Sequence, residues 1–223
     1  MFEDQNLIAI NKPNHLAVQS GSRVKLCVDL LMTAYAIKTA KILEKPLQKL
    51  RIVHSLDKET SGLLLIAKTL EAARKLTKAF EDKTIEKNNY AILQFDDKNA
   101  ASKLQPFGII ENRLAKHKIS DEDMVVIAHN GKEAITEYEV EKKLSPSSFL
   151  IKFSPKTGRT HQLRVHSKEL GGYILGDSKY APSPQKEKFL YLHASSIKIP
   201  KSVLGYNINI EAELPTPFKA KIS

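Results

Sequence analysis

His54-Ser55-Leu56-Asp57-Lys58-Glu59-Thr60-Ser61-Gly62 runs directly into Leu63-Leu64-Leu65-Ile66-Ala67-Lys68. The first half is polar and turn-forming; the second is apolar without a break until Lys68. An unbroken apolar run of this length has no alternation to leave one face wet, so it reads as a strand buried on both faces. Asp57 then stands just outside the rim of a core sheet, on a loop braced by a rigid element, where reacting groups are commonly placed. Asp and Ser are also ordinary turn residues. The segment by itself leaves a turn-shaping role and a chemical role both open.

Working outward, Leu7–Ile10 reads as a short strand ended by Lys12-Pro13, and Val28–Leu43 as a helix with Leu30, Leu31, Ala34, Ile37 and Ile42 near helical spacing. Pro46 punctuates its end. Leu70–Phe80 reads as an amphipathic helix with Leu70, Ala73, Leu76, Thr77 and Phe80 on one side, and Thr69 is placed to cap it. Residues 90–95, 123–128, 134–142, 148–153 and 190–198 carry strand patterns, mostly of an antiparallel sheet. Arg164–Leu170 reads as a short helix stopped by Gly171-Gly172. Residues 105–123 and 181–188 are polar and broken by Pro or Gly, so they read as loops. Many strands with few, separated helices predict an α+β fold: a mixed, largely antiparallel sheet with flanking helices. There is no internal repeat and no low-complexity segment.

Composition narrows the partners. The 223 residues suffice for one large or two small domains, and 42% apolar content argues against disorder. A net charge of +10 favours a polyanionic partner, because each neutralised phosphate releases counterions. Simple solubility is the competing reading. The lysines, among them Lys83, Lys87, Lys98, Lys103, Lys116, Lys118, Lys142 and Lys143, are spread out as on a charged face rather than blocked into a tail. Cys27 is the single cysteine, which excludes an internal disulfide and a cysteine-paired metal site. No apolar stretch is long enough to cross a membrane, and Met1-Phe2-Glu3-Asp4-Gln5 lacks the basic and apolar regions of a secretory signal. The expectation is a cytoplasmic protein with no membrane partner; a monomer is the default.

A second polar segment bears on Asp57. Thr157-Gly158-Arg159-Thr160-His161-Gln162-Leu163-Arg164-Val165-His166 gathers two arginines, two histidines and a glutamine. Arg164 carries a fixed charge and a planar fork of donors; facing Asp57, it would hold that carboxylate ionised and aimed. A solvated basic turn is the plainer reading of such a cluster. Together, though, the two segments resemble the Asp-containing motif and the Gly-Arg-Thr-His-Gln-x-Arg motif of the RluA-type RNA pseudouridine synthases. Four further blocks resemble that family in order: Ala9–Val18 with its Asn11-Lys12-Pro13 turn, Gly131–Tyr138, Gly176-Asp177-Ser178-Lys179-Tyr180, and Leu192-His193-Ala194. Val18–Ser22 and Ala212–Pro215 look most like its ribosomal large-subunit members.

The resemblance implies a catalytic domain over residues 1–223 that converts uridine to pseudouridine in RNA, with ribosomal RNA favoured and tRNA possible. Members often carry an N-terminal RNA-binding module. Only ten residues precede Asn11, so the expectation is that it is absent or removed. The resemblance makes Asp57 the catalytic carboxylate, as nucleophile or as base. Arg164, Tyr90, Asn89, Ser55 and His54 become supporting residues, and Arg159, His161, Gln162, Lys12 and Thr60 RNA-binding ones. Neither cofactor nor metal is expected. The base must leave its stack to reach Asp57, and Leu63, Leu65, Leu163 and Val165 are candidate walls, although core burial is the commoner fate. Two positions depart from the family pattern. Ser55 stands where the family has arginine, and Asn89 where it has tyrosine, with Tyr90 one residue later and within reach only through a slip or bulge. These departures leave a catalytically impaired RNA-binding assembly factor as an alternative. A glycoside hydrolase is disfavoured, because it needs a partner carboxylate at a set distance from Asp57 and none stands out in the matching motifs.

Overall fold

The computed structural model describes residues 2–21, 25–119, 122–182, 184 and 186–223. The chain forms two compact units. One comprises the chain up to Glu86 together with Ala194–Glu213; the other comprises Lys87–His193 and Leu214–Ser223.

In the first unit β1 (Phe2–Glu3), β2 (Leu7–Lys12), α1 (Val28–Leu43), β3 (Arg51–Ile52), β4 (Ser61–Ala67) and α2 (Leu70–Glu81) follow in chain order. All seven residues of β4 are buried, as its apolar run requires. It pairs antiparallel with β2 from Leu7↔Ala67 to Lys12↔Gly62, and with β3 at Ile52↔Ile66. Thr69 caps α2, its side chain accepting the Ala72 N–H at 3.0 Å. The buried stripe of α2 is Ala72, Ala73, Leu76 and Ala79, joined by Phe80 against the core. Leu70 and Thr77, expected on that stripe, point outward; Leu70 is 48% exposed.

The expected packing of α1 is corrected more strongly. The helix has the predicted bounds, yet Leu30, Leu31, Ala34, Ile37 and Ile42 are all exposed, and only Val28 and Ala36 are buried. Apolar residues lie on every side of this helix, so a single packing face cannot cover them.

The second unit contains β5 (Glu86–Gln94), α3 (Lys98–Ser102), β6 (Phe107–Ile119), β7 (Glu122–Ile127), β8 (Lys132–Ser145), β9 (Ser148–Pro155), α4 (Gln162–Glu169) and β10 (Tyr173–Ile174). Then β11 (Leu192–Ile199), α5 (Lys201–Leu204) and β12 (Ile208–Glu211) lead back into the first unit, and α6 (Thr216–Ile222) closes the chain. Strands run in the order β5-β9-β8-β6-β7, with β10 on the other edge of β5; in the first unit the order is β1-β2-β4-β11, with β12 on β11. The α+β class with a largely antiparallel sheet is as expected. The loop expected over 105–123 is instead mostly β6, whose Phe107–Leu114 pairs with β8 and whose Leu114–Ile119 pairs with β7. Polar Glu111, Asn112, Arg113, Lys116 and Lys118 disguise the strand; long-range pairing overrides local propensity. Ser120 and Asp121 lie outside the described residues, as do Ser22, Ser183 and Gln185 of the other quoted segments. Among the described residues no helix is long and apolar enough to cross a membrane.

Gly62 shows why β4 begins with glycine. Its φ is +113°, and a Cβ there would stand 2.2 Å from the Ala194 carbonyl oxygen on β11. Any side chain at this position would push the Asp57 loop off the sheet.

Candidate active site

The Asp57 loop is built by the residues around it. His54 Nε2 accepts the Leu65 N–H at 2.9 Å, continuing the β3–β4 ladder with a side chain, and its ring lies 4.7 Å from that of Phe80. Beyond it, three consecutive carbonyls are held. Asp57 O accepts the Thr60 N–H at 3.1 Å. Lys58 O accepts from Lys12 Nζ at 3.2 Å, and Glu59 O from the Asn14 amide. The Asn11-Lys12-Pro13-Asn14 turn therefore clamps this loop from the end of β2. Asp57 itself stays half-buried, on a backbone that is already ordered.

Lys12 does this from inside. It is fully buried, and its ammonium also donates to Pro13 O at 3.0 Å and Leu16 O at 2.9 Å. Burial pushes it down to about 8, opposed by the carboxylates of Glu59 and Asp57. This corrects its expected role: an ammonium spent on three carbonyls is a brace, not an exposed phosphate contact. It adds positive potential at Asp57. Thr60, also expected at RNA, is buried at 4% exposure. Ser55 is exposed, its hydroxyl 3.5 Å from the Leu56 carbonyl.

In the second unit, the Thr157–His166 segment turns into α4 through His161, which takes a left-handed conformation at φ 52°. Gln162 saturates its amide inside the fold. Its Oε1 accepts the Thr157 hydroxyl at 2.8 Å and the Arg159 N–H at 3.0 Å. Its Nε2 donates to Ile135 O at 3.0 Å and Thr136 Oγ1 at 2.9 Å. Gln162 is 4% exposed, so its expected contact with RNA is corrected to a structural role. Thr136 in turn donates to His166 Nδ1 (2.9 Å), leaving Nε2–H to bond Asn112 Oδ1 (3.0 Å). Burial pushes His166 down to about 4, so the imidazole is neutral.

Arg164 is 1% exposed and forms a bidentate pair with Asp177: Nε to Oδ2 at 2.8 Å and Nη2 to Oδ1 at 2.7 Å. Asp177 Oδ1 also accepts the Lys179 and Tyr180 N–H groups, and the guanidinium lies 5.2 Å from the Tyr180 ring centroid. The Tyr180 hydroxyl accepts the Val125 N–H at 2.9 Å and sits 2.8 Å from His161 Nδ1. Two of the quoted motifs thus interlock here. Asp177 was visible only as part of a motif, and nothing local marks it as the partner of an arginine.

Asn89 and Tyr90 are decided by register. The β5–β9 pairing runs unbroken from Asn89↔Phe153 to Gln94↔Ser148, so no bulge brings Tyr90 round. Tyr90 packs with Ile92, Leu150, Tyr191 and Phe218, while Asn89 lies on the opposite face, that of Ala91 and Leu93. Leu63, Leu65, Leu163 and Val165 are core residues rather than exposed walls.

A family model described as RNA pseudouridylate synthase matches residues 6–169. The chain belongs to this family. The ribosomal large subunit pseudouridine synthase C of Rickettsia bellii is 41% identical over 221 residues, covering 98% of this chain and 69% of that protein. The protein of the same name from Haemophilus influenzae is 33% identical, covering 99% and 66%. Among solved structures, human RNA pseudouridylate synthase domain containing 4 superposes with a TM-score of 0.79 at 26% identity, over 99% of this chain and 90% of that one. As a pseudouridylate synthase, the chain has the α+β architecture that its motifs imply, and the motif-bearing segments at 9–18, 54–67, 131–138 and 157–166 fall inside the matched region.

Proposed function

We propose that this protein isomerises uridine to pseudouridine in large-subunit ribosomal RNA, with Asp57 as the catalytic carboxylate. The observation that carries this reading is the Asp57 loop: three successive backbone carbonyls are tied down while the Asp57 side chain keeps partial access to solvent. Such prior ordering removes an entropic cost from the reacting geometry. Relatives named for ribosomal large-subunit pseudouridine synthesis, alike over nearly the whole chain, support the RNA class.

The isomerisation breaks the bond from ribose C1′ to N1 of uracil, turns the ring and joins C1′ to C5; the C5 proton leaves to solvent and N1 gains one. No atom is added, so the chemistry asks for a carboxylate near the sugar, in either a nucleophilic or a basic role, and for a pocket that receives the unstacked base. In this reading Lys12 and Arg164 are the supporting cations, Arg164 being oriented by Asp177. Arg159 and His161 contact RNA, and Asn89 stands beside the target base. A ribosomal RNA substrate implies a cytoplasmic enzyme, acting as a monomer.

The test is tritium release from C5-labelled uridine in large-subunit ribosomal RNA and, separately, in tRNA. Release from ribosomal RNA is expected, with Asp57→Asn lowering the rate by about a thousandfold or more at unchanged thermal midpoint. Unchanged release in Asp57→Asn removes that residue from the chemistry. Release from tRNA alone moves the substrate class. Binding without release by the wild-type chain would leave a non-catalytic RNA-binding factor, the reading that Asn89, with Tyr90 on the opposite face of β5, would then explain.

A further inference from the structure

Lys87 precedes Asn89 by two residues on β5 and shares its face. It is half-buried, and its ammonium lies 3.4 Å from the point where a Cβ would stand on Gly158. The next residue, Arg159, is exposed and is steered by its Nε, which donates to the Glu133 carbonyl at 2.8 Å. Burial lowers the Lys87 ammonium, and the neighbouring Arg159 charge lowers it further.

Several other lysines of this protein are paired or capped. Lys68, Lys78, Lys156 and Lys221 each have a carboxylate within 2.9 Å. Lys152, 33% exposed, lies near both Glu139 and Glu141. Lys12, fully buried, is capped by three carbonyls. Among the described residues, Lys87 and Arg159 form no ion pair with a carboxylate. Two cations held together, one of them partly desolvated, raise the free energy of the empty protein unless an anion joins them. The absence of a side chain at Gly158 leaves the space between the ammonium and the loop open.

We infer that Lys87 and Arg159 together hold one phosphate group of the bound RNA, Arg159 through its remaining guanidinium donors and Lys87 as a point charge. The RNA source rests on the function proposed above; the anion site does not. A phosphate here relieves the repulsion between the cations and anchors the strand two residues from Asn89.

The experiment uses the full chain with Lys87→Met, which keeps the stem and removes the charge, and Lys87→Arg, which restores it. Thermal midpoints are measured with and without inorganic pyrophosphate. Binding to a labelled large-subunit ribosomal RNA fragment is measured across a salt series. Without anion, Lys87→Met is expected to melt no lower than wild type, because a repulsion is lost. It should lose the pyrophosphate-induced rise in midpoint, bind RNA about tenfold more weakly near physiological salt, and show a salt slope smaller by about one. Lys87→Arg should recover these properties. An equal pyrophosphate response in wild type and Lys87→Met overturns the site; an unchanged RNA affinity and salt slope overturns an RNA phosphate as its occupant. A Lys87-dependent pyrophosphate response in a chain that binds no RNA upholds the anion site and overturns its RNA source.

Discussion

The Asp57 loop and the Thr157–His166 segment are the two polar stretches that stand out in this sequence, and the fold uses them in opposite ways. Around Asp57 the neighbours spend their hydrogen bonds on backbone carbonyls, and the charged side chain keeps partial access to solvent. In the second segment the side chains spend themselves inside the fold: Thr157, Gln162 and His166 join Thr136 and the part-buried Asn112 in one hydrogen-bonded chain, and Arg164 is locked to Asp177. Arg159, with Lys87 beside it, makes no ion pair with a carboxylate among the described residues. A dense polar motif is therefore not a list of contacts for a substrate. Most of its members build the platform, and few are left to act.

Substitution can separate the two uses. Asp177→Asn should be the most damaging to stability, by about 3–5 kcal/mol in chemical denaturation, because it strands a buried arginine. Asp57→Asn, by contrast, should leave stability near wild type. If Asp177→Asn costs less than 1 kcal/mol by the same order of estimate, the pair is not structural.

Acid should reveal the buried histidine. His166 takes its proton only near about 4 when folded, against 6.5 ordinarily. Between those values the unfolded chain binds the extra proton, so this contribution is fully present above 6.5 and is lost as pH falls toward 4. The loss is on the order of 3 kcal/mol, read as a falling denaturation midpoint. A His166→Gln variant should show a shallower fall; an identical one would mean that other groups carry it.

Lys12→Met leaves three carbonyls without their donor, at about 1–3 kcal/mol. If the clamp orders Asp57, this variant should also lower turnover more than substrate affinity. Thr69→Ala, which removes the α2 cap, provides the control. It should cost about 1 kcal/mol and leave turnover unchanged at a temperature where both variants are folded. Equal turnover in the two variants would end the clamp's claim on catalysis.

The two long helices of the first unit show how far periodicity carries. The sequence marks the start of α2 at Thr69 and the end of α1 by Pro46 beyond it. For α2, small residues and Leu76 fall on one stripe, and that stripe is buried, although Leu70 and Thr77 prove to lie off it. For α1, apolar residues surround the axis, and the pattern says that a helix forms without saying which side packs. The strand β6 shows the reverse failure: its polar residues hide an element that exists because β8 and β7 flank it.

By itself the sequence determined the buried strand β4, the polar loop before it, the span of α1 and the start of α2, and the family motifs, because each is written in neighbouring residues. It also marked Asp57 as the residue to watch. Only the tertiary structure decided what each polar side chain faces. Arg164 meets Asp177 across 13 residues, Gln162 meets Thr136 across 26, and His166 meets Asn112 across 54. Lys12 reaches Lys58 across 46. Hydrogen bonds and ion pairs act over a few ångströms in space whatever the separation along the chain. The partners that turn Lys12 and Gln162 into braces, and leave Lys87 beside Arg159, exist only once the strands have paired.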